Sequence, residues 1–328
     1  MESRKDNHLL VFDEEKHRYT LDGNRVPGVT TFGKGGYPTS EQLIKWQIGE
    51  GSKYTARLIQ RLRKNYPARV VEGELLARII KKSKKASAKV AKRAADIGTI
   101  VHDYAYFTEI GKVNDAMVVL SKAKLHRDWD KIRNGIKKYE GWHEQNKGQT
   151  VLLEAIVARV CPYRAISQEN EGLCTCYAGK FDHLSLRNGM LILSDYKTSN
   201  GIYVDQFIQL ASYAIAIEGW LDKWLEQYGL PLKIGGLEVL RFGKENGDDF
   251  HPFLITNADE IRQLKNQAIR CRQTYRFRLT WENDKRFKWT GGASATKSGD
   301  TVKKQRIKRI SREQRNQDSA SKMGPITG

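Results

Sequence analysis

A chain of 328 residues is long enough to bury a sizeable core, as one elaborated domain or as two. Its formal charge of +19 turns attention to polyanions, with nucleic acid the commonest in a cell and anionic membrane the competitor. No apolar run approaches the ~18–20 residues that span a bilayer, the opening "MESRKDNHLL" lacks the layout of a secretory signal, and four cysteines are too few for a disulfide scaffold; a soluble cytoplasmic protein with no membrane partner is expected.

Residues 9–31 read as short strands broken by turns, with Asp22-Gly23 as a hairpin signal. From Thr39 to Ile97 the pattern is helical, opening with Ser40 as a cap. Within it, Arg78, Lys81, Lys82, Lys85, Lys89, Lys92 and Arg93 recur at three- and four-residue steps. On one helix over 78–93 they would share a face, away from Ile79, Val90 and Ala94. Such a face is either solvated or laid against an anion, because stacked like charges destabilise a helix unless something such as a phosphate backbone neutralises them. Further helices are predicted over 95–108 and 127–145.

Residues 150–198 are β-rich: "TVLLEAIVARV", "YAGKFDHLSL" and "MLILSDYKT". A helix follows over 204–229, stopping at Gly229 with Pro231 just beyond. Strand-like "GLEVLRF" and "FHPFLIT" flank Asn246-Gly247, and a helix over 258–277 closes the globular part. Beyond about residue 291 glycine, serine and basic residues dominate, which predicts a disordered basic tail over 291–328. The order of elements favours one mixed α/β domain over 1–290, with a partly antiparallel sheet and a basic helical region (about 38–97) inserted early. Cys161, Cys174, Cys176 and Cys271 match no zinc spacing. If "CTC" lies in a strand, its two thiols face opposite ways, which suits one metal poorly, so buried or incidental thiols are expected.

The sharpest signal is "KFDHLSLRNGMLILSDYKTS" (180–199). Asn188 and Gly189 both tolerate the positive φ of a type I′ turn. A two-residue turn there pairs Arg187 with Met190 and, stepping outward, Asp182 with Asp195. Directly opposed residues have Cβ atoms about 4.5–5.5 Å apart. Alternation puts Leu184, Leu186, Leu191 and Leu193 on the same face, with Lys197 one step past Asp195. Two anions on an apolar face are costly unless a cation binds or a proton is shared. Oxygen-rich ligation suits Mg²⁺ or Mn²⁺, which would polarise a phosphodiester and acidify a bound water while Lys197 orients the water or stabilises charge. A strained surface hairpin and a paired-carboxylate acid/base site are the alternatives.

Asp-x12-Asp-x-Lys on a hairpin resembles the PD-(D/E)XK nuclease core, with Asp195-Tyr196-Lys197 as its acidic-x-Lys element. "GTIVH" (98–102) resembles the Gly-x-x-x-His element of the RecB-type exonuclease branch, and "QLASY" (209–213) its Gln-x-x-x-Tyr element. That branch includes RecB nuclease domains, CRISPR-associated adaptation nucleases, the mitochondrial genome maintenance exonuclease and many phage exonucleases. The resemblance implies a restriction-endonuclease-like core over 98–290 with an N-terminal helical elaboration. It further implies an Mg²⁺- or Mn²⁺-dependent DNA exonuclease working from free ends, phage-encoded and serving recombination, repair or processing.

His102, Asp182 and Asp195 would then bind the metal, helped by the Tyr196 backbone carbonyl. Lys197 would be catalytic base or electrostatic stabiliser, and Gln209 and Tyr213 would position the strand or Lys197. Glu154, acidic in an apolar strand ahead of Asp182, is a further candidate ligand. The basic set from Arg78 to Arg93 would contact DNA phosphates without reading sequence. Relatives that hold an iron–sulfur cluster use three cysteines near the end of the chain. Only Cys271 lies downstream here, so no cluster is expected. A non-catalytic nucleic-acid-binding protein of the same fold and a structure-specific endonuclease are the rival readings. The intact acidic pair and lysine weigh against the first.

Overall fold

The structure is a computed structural model that describes residues 1–37, 41–65, 73–146, 148–162, 174–199, 201–243 and 250–282. Met1–Phe277 form one compact unit, and residues 278–282 beyond it complete the last described helix. The tail expected over 291–328 and the Asn246-Gly247 turn lie outside the described residues.

The chain opens with an antiparallel meander of β1 (Glu2–Lys5), β2 (His8–Asp13), β3 (Arg18–Leu21) and β4 (Asn24–Val26). The turn between β3 and β4 is Asp22-Gly23, with φ of 51° and 76°, as its residue types require. Strand signals run on to Thr31 in the sequence, yet α1 (Val29–Gly36) is helical. Val29 and Phe32, three apart, are both buried, and the Gly28 carbonyl accepts from Thr31 N–H (2.9 Å) and Phe32 N–H (3.1 Å). Burial at helical spacing overrides the β-branched composition.

The early helical region comprises α2 (Glu41–Asn65), α3 (Gly73–Ser83), α4 (Ala86–Glu109), α5 (Val113–Ala123) and α6 (Trp129–Gln145). The predicted single basic helix over 78–93 is corrected here: the chain turns at Lys84-Lys85 between α3 and α4. Ser83 Oγ donates to the Ile80 carbonyl (2.8 Å), a local bond that competes with helix continuation. The break also spares Lys81, Lys85 and Lys89 from stacking at i, i+4 along one helix.

The central sheet has the order β11-β10-β9-β8-β5, built from β5 (Gln149–Leu153), β8 (His183–Arg187), β9 (Met190–Lys197), β10 (Ile234–Arg241) and β11 (His251–Ile255). Only β9 and β10 run parallel; the other neighbours are antiparallel. Their connection carries α7 (Val204–Trp220) and α8 (Asp222–Gln227), the helical crossover that parallel strands need. The helix predicted over 204–229 is thus two, broken at Leu221. β6 (Ile156–Arg159) and β7 (Tyr177–Lys180) form a separate two-stranded ladder. The last helix, α9, spans Ala258–Glu282. The fold is therefore mixed α/β with a mixed sheet.

Both faces of β9 are covered, so it reads as a nearly unbroken apolar run. Leu191 and Leu193 join the large core under α7, while Tyr196 joins a second core formed with α4 and α6. Alternation along β9 therefore puts Asp195 and Lys197 on the α7 side, and Tyr196 on the α4 side.

Candidate metal centre

The β8–β9 hairpin has the register its turn demands: Arg187 pairs with Met190, and the ladder ends at His183 and Ser194, one step before Asp182 and Asp195. Asn188 and Gly189 adopt φ of 50° and 74°. Asp182 thus leaves the sheet just as Asp195 remains in it. Its Oδ2 accepts from the Tyr196 N–H at 2.8 Å, which ties it across the ladder.

Two further elements bring ligands to this point. In α4, Gly98 is buried and a Cβ there would lie 3.0 Å from Thr198 Oγ1, so the helix passes the end of β9 almost backbone to side chain. One turn later His102 meets the strand, with Nε2 2.8 Å from the Tyr196 carbonyl and Nδ1 3.8 Å from Asp182 Oδ2. A carbonyl only accepts, so Nε2 carries the proton and Nδ1 is the free ligand atom. Between β5 and β6 the chain turns at Glu154, whose φ is 49° and whose N–H donates to the Asp182 carbonyl (2.9 Å). That left-handed residue aims its carboxylate at the same point. Ligand atoms of His102, Glu154 and Asp182 all lie within 4.8 Å of one another.

Asp195 is not in that trio. It is buried and ion-pairs with Lys197. Glu154 is matched in the same way by Lys180. Burial pushes Asp195 up to about 6, and Lys197 and Asp182 act on it from nearby with opposite signs. Burial also raises Asp182 and Glu154, the latter with help from Asp182. For His102, burial and then Lys197 lower the pKa, which keeps the ring neutral. Burial opposes the charge on Lys197, but Asp195 and Asp182 outweigh it and hold its pKa above the ordinary value. The result is a cluster of carboxylates that burial and mutual repulsion make costly to ionise, the condition that a bound cation relieves.

Gln209 and Tyr213 lie one turn apart on α7, with Gln209 Nε2 3.3 Å from the Tyr213 hydroxyl. The Tyr213 ring rests flush on Gly179, where a Cβ would come within 2.5 Å of it. Asp195 and Asp182 are near enough to raise the Tyr213 pKa further, after burial. His102, Glu154, Asp182, Asp195, Tyr196, Lys197, Gln209 and Tyr213 are therefore brought to one region. The basic set is not: Arg78, Lys81 and Lys82 are on α3, Lys85 is in the turn, and Lys89, Lys92 and Arg93 are on α4, all exposed. Lys89 and Lys92 lie about 20 and 15 Å from His102 along the helix axis. Arg93 is drawn into a two-pronged ion pair with Asp128.

Lys180 escaped sequence reasoning, although a signal existed. Lys180-Phe181-Asp182 mirrors Asp195-Tyr196-Lys197 across the hairpin, and in the fold Lys180 pairs with Glu154 while Lys197 pairs with Asp195. The buried hydrogen bond of the Tyr196 hydroxyl to His183 Nδ1 (3.0 Å) carried no such signal.

No protein-family model matches the chain, and no curated protein is significantly similar. A crystal structure of a protein from Eubacterium rectale, provisionally named an exonuclease, is 12% identical with a TM-score of 0.35 and covers 58% of this chain and 69% of its own. The structure of SSO0001 is 14% identical with a TM-score of 0.24, over 58% of this chain and 79% of its own. Likenesses this low carry no argument.

Proposed function

We propose that the protein is a divalent-metal-dependent DNA nuclease of the PD-(D/E)XK type, acting from free ends. The observation that carries this reading is the convergence of His102, Glu154 and Asp182 beside the Asp195–Lys197 pair. The donor set is one imidazole nitrogen and carboxylate oxygens, without sulfur, which fits Mn²⁺ or Mg²⁺. A divalent cation held there would polarise a phosphodiester and lower the pKa of a bound water.

The residues divide the remaining work. His102, Glu154 and Asp182 hold the ion, with Asp195 as a neighbouring ligand. The Tyr196 carbonyl fixes the tautomer and direction of His102, a positioning role in place of direct ligation. Lys197, kept cationic by Asp195, offsets negative charge that develops on the phosphate, so electrostatic stabilisation is favoured over base catalysis. Gln209 and Tyr213 hold the α7 side of the site in place. The exposed lysines of α3 and α4 meet phosphates farther along the strand.

The test uses end-labelled linear DNA and covalently closed circles, with Mg²⁺ or Mn²⁺ and with excess chelator. Metal-dependent release from linear ends, with circles spared, is the expected result. Binding of DNA without cleavage under any divalent cation would overturn the reading in favour of a binding protein. Equal cleavage of circles would replace the exonuclease by an endonuclease.

A further inference from the structure

Outside the carboxylate site, three of the four cysteines converge. Cys161 follows β6, and Cys174 and Cys176 precede β7, which begins only at Tyr177. The "CTC" stretch is therefore not in a strand, and the expected alternation of its thiols does not hold. Cys161 Sγ lies 3.4 Å from Cys176 Sγ and 3.7 Å from Cys174 Sγ, and the three sulfurs fall within 4.8 Å of one another. From this geometry we propose that Cys161, Cys174 and Cys176 bind one soft divalent metal ion, Zn²⁺ being the natural occupant, at the ends of the β6–β7 pair.

Distances favour a shared ion. With metal–sulfur bonds of about 2.3 Å, tetrahedral sulfurs stand about 3.8 Å apart, close to the separations here. A disulfide would need about 2.05 Å, and all four cysteines are free thiols. In a [4Fe–4S] cluster each thiolate takes a different iron, and the thiolates would stand farther apart than these.

The surroundings are those of a metal–thiolate centre. Two backbone amides point at sulfur: Cys161 N–H at Cys176 Sγ (3.2 Å) and Thr175 N–H at Cys161 Sγ (3.3 Å). Arg159 Nη1 donates to Thr175 Oγ1 (2.8 Å) and fixes the backbone between the paired cysteines. Arg272 of α9 is 3% exposed and donates through Nε and Nη2 to the Cys176 carbonyl (3.2 and 3.1 Å). Its Nη1 is buried with no hydrogen-bond partner, and no carboxylate pairs with it among the described residues. A buried guanidinium without a counter-ion is costly. Three thiolates and one divalent cation carry a net single negative charge, which that guanidinium would balance. The fourth tetrahedral position is left for water or another ligand.

The experiment adds one equivalent of Co²⁺ to the reduced full-length chain and records its absorption spectrum, followed by competition with Zn²⁺. Expected are a thiolate-to-cobalt charge-transfer band and tetrahedral d–d bands, all displaced by one equivalent of Zn²⁺. Cys161→Ser, Cys174→Ser and Cys176→Ser should each lose the charge-transfer band, while Cys271→Ser and Asp182→Asn keep it. Circular dichroism on each variant shows that the fold persists, and the wild-type arm does not depend on it. Absence of the band in reduced wild-type protein, or its survival at full intensity in any one of the three serine variants, would overturn the proposal. The Asp182→Asn arm keeps this result independent of the nuclease reading.

Discussion

Asp195 and Tyr196 illustrate how much one strand residue can be asked to do. Tyr196 donates its N–H to Asp182, accepts from His102 at its carbonyl, bonds His183 through its hydroxyl and packs its ring in the second core. Asp195, its neighbour, faces the other way and anchors Lys197. Asp195→Asn removes that anion and a neighbouring ligand but leaves the basic surface alone. Cleavage should fall by about 100-fold or more while DNA affinity stays nearly unchanged, as read by single-turnover kinetics and a binding titration. Wild-type cleavage in this variant would remove Asp195 from the chemistry. Arg93 makes a separate case. Its bond to Asp128 is the main cause that holds the Asp128 carboxyl below its ordinary value, and Asp128 is only 5% exposed. A depressed carboxylate stabilises the fold above its unfolded pKa of about 3.9, and that contribution fades as pH falls through the folded value. Arg93→Met should therefore cost about 1 kcal/mol at pH 7, modest because Arg93 is half exposed, and the difference from wild type should shrink below about pH 4 in denaturant titrations. A pH-independent difference would show that Arg93 acts through packing.

Among the elements, α4 is the piece that must sit correctly. Gly98 lets it approach Thr198, and His102 reaches β9 one turn later. Gly98→Val puts branched methyls where a Cβ alone is already tight. It should cost about 1–3 kcal/mol and lower activity at least tenfold by displacing His102. Gly98→Ala should be milder, because its gain in helix propensity of about 1 kcal/mol offsets a smaller clash. Thermal melts and cleavage rates check both, and full activity in the valine variant would mean that α4 does not set the position of His102. Much of this was legible in the chain. The Asn188-Gly189 turn and period-two alternation fixed the hairpin register, because a slip by one residue would expose Leu184, Leu191 and Leu193. The partly antiparallel sheet of a mixed α/β domain could be read from element order, whereas the parallel β9–β10 pair and its helical crossover could not. Glu154 could be placed only loosely, since its direction depends on a positive φ between two strands that alternation alone would have joined. The break at Lys84-Lys85 was hidden because a periodicity of charge looks the same on one helix or two. The sulfur cluster was hidden for a different reason: Cys161 meets Cys174 and Cys176 only through the pairing of β6 with β7.

Over the protein as a whole, charge is the dominant fact. At +19 the chain attracts polyanions from a distance, and exposed Lys81, Lys85 and Lys89 contribute to that field. Reversing all three to glutamate lowers the formal charge to +13, since each change removes two units. DNA affinity should weaken for every sequence alike, and the slope of log affinity against log salt should flatten by about 0.7–0.9 for each phosphate that is no longer neutralised. An unchanged slope would return these lysines to simple solvation. No described helix is long and apolar enough to cross a membrane. Whether His102, Glu154 and Asp182 share one catalytic cation is decided by a Mn²⁺ titration of the cleavage rate on end-labelled DNA. In wild type the rate should rise from nothing and saturate; in Glu154→Gln half-saturation should move up by about 10–100-fold, the range for weakened metal sites. Cleavage that persists without free cation, or the same half-saturation in both proteins, would mean that the trio does not hold the catalytic ion.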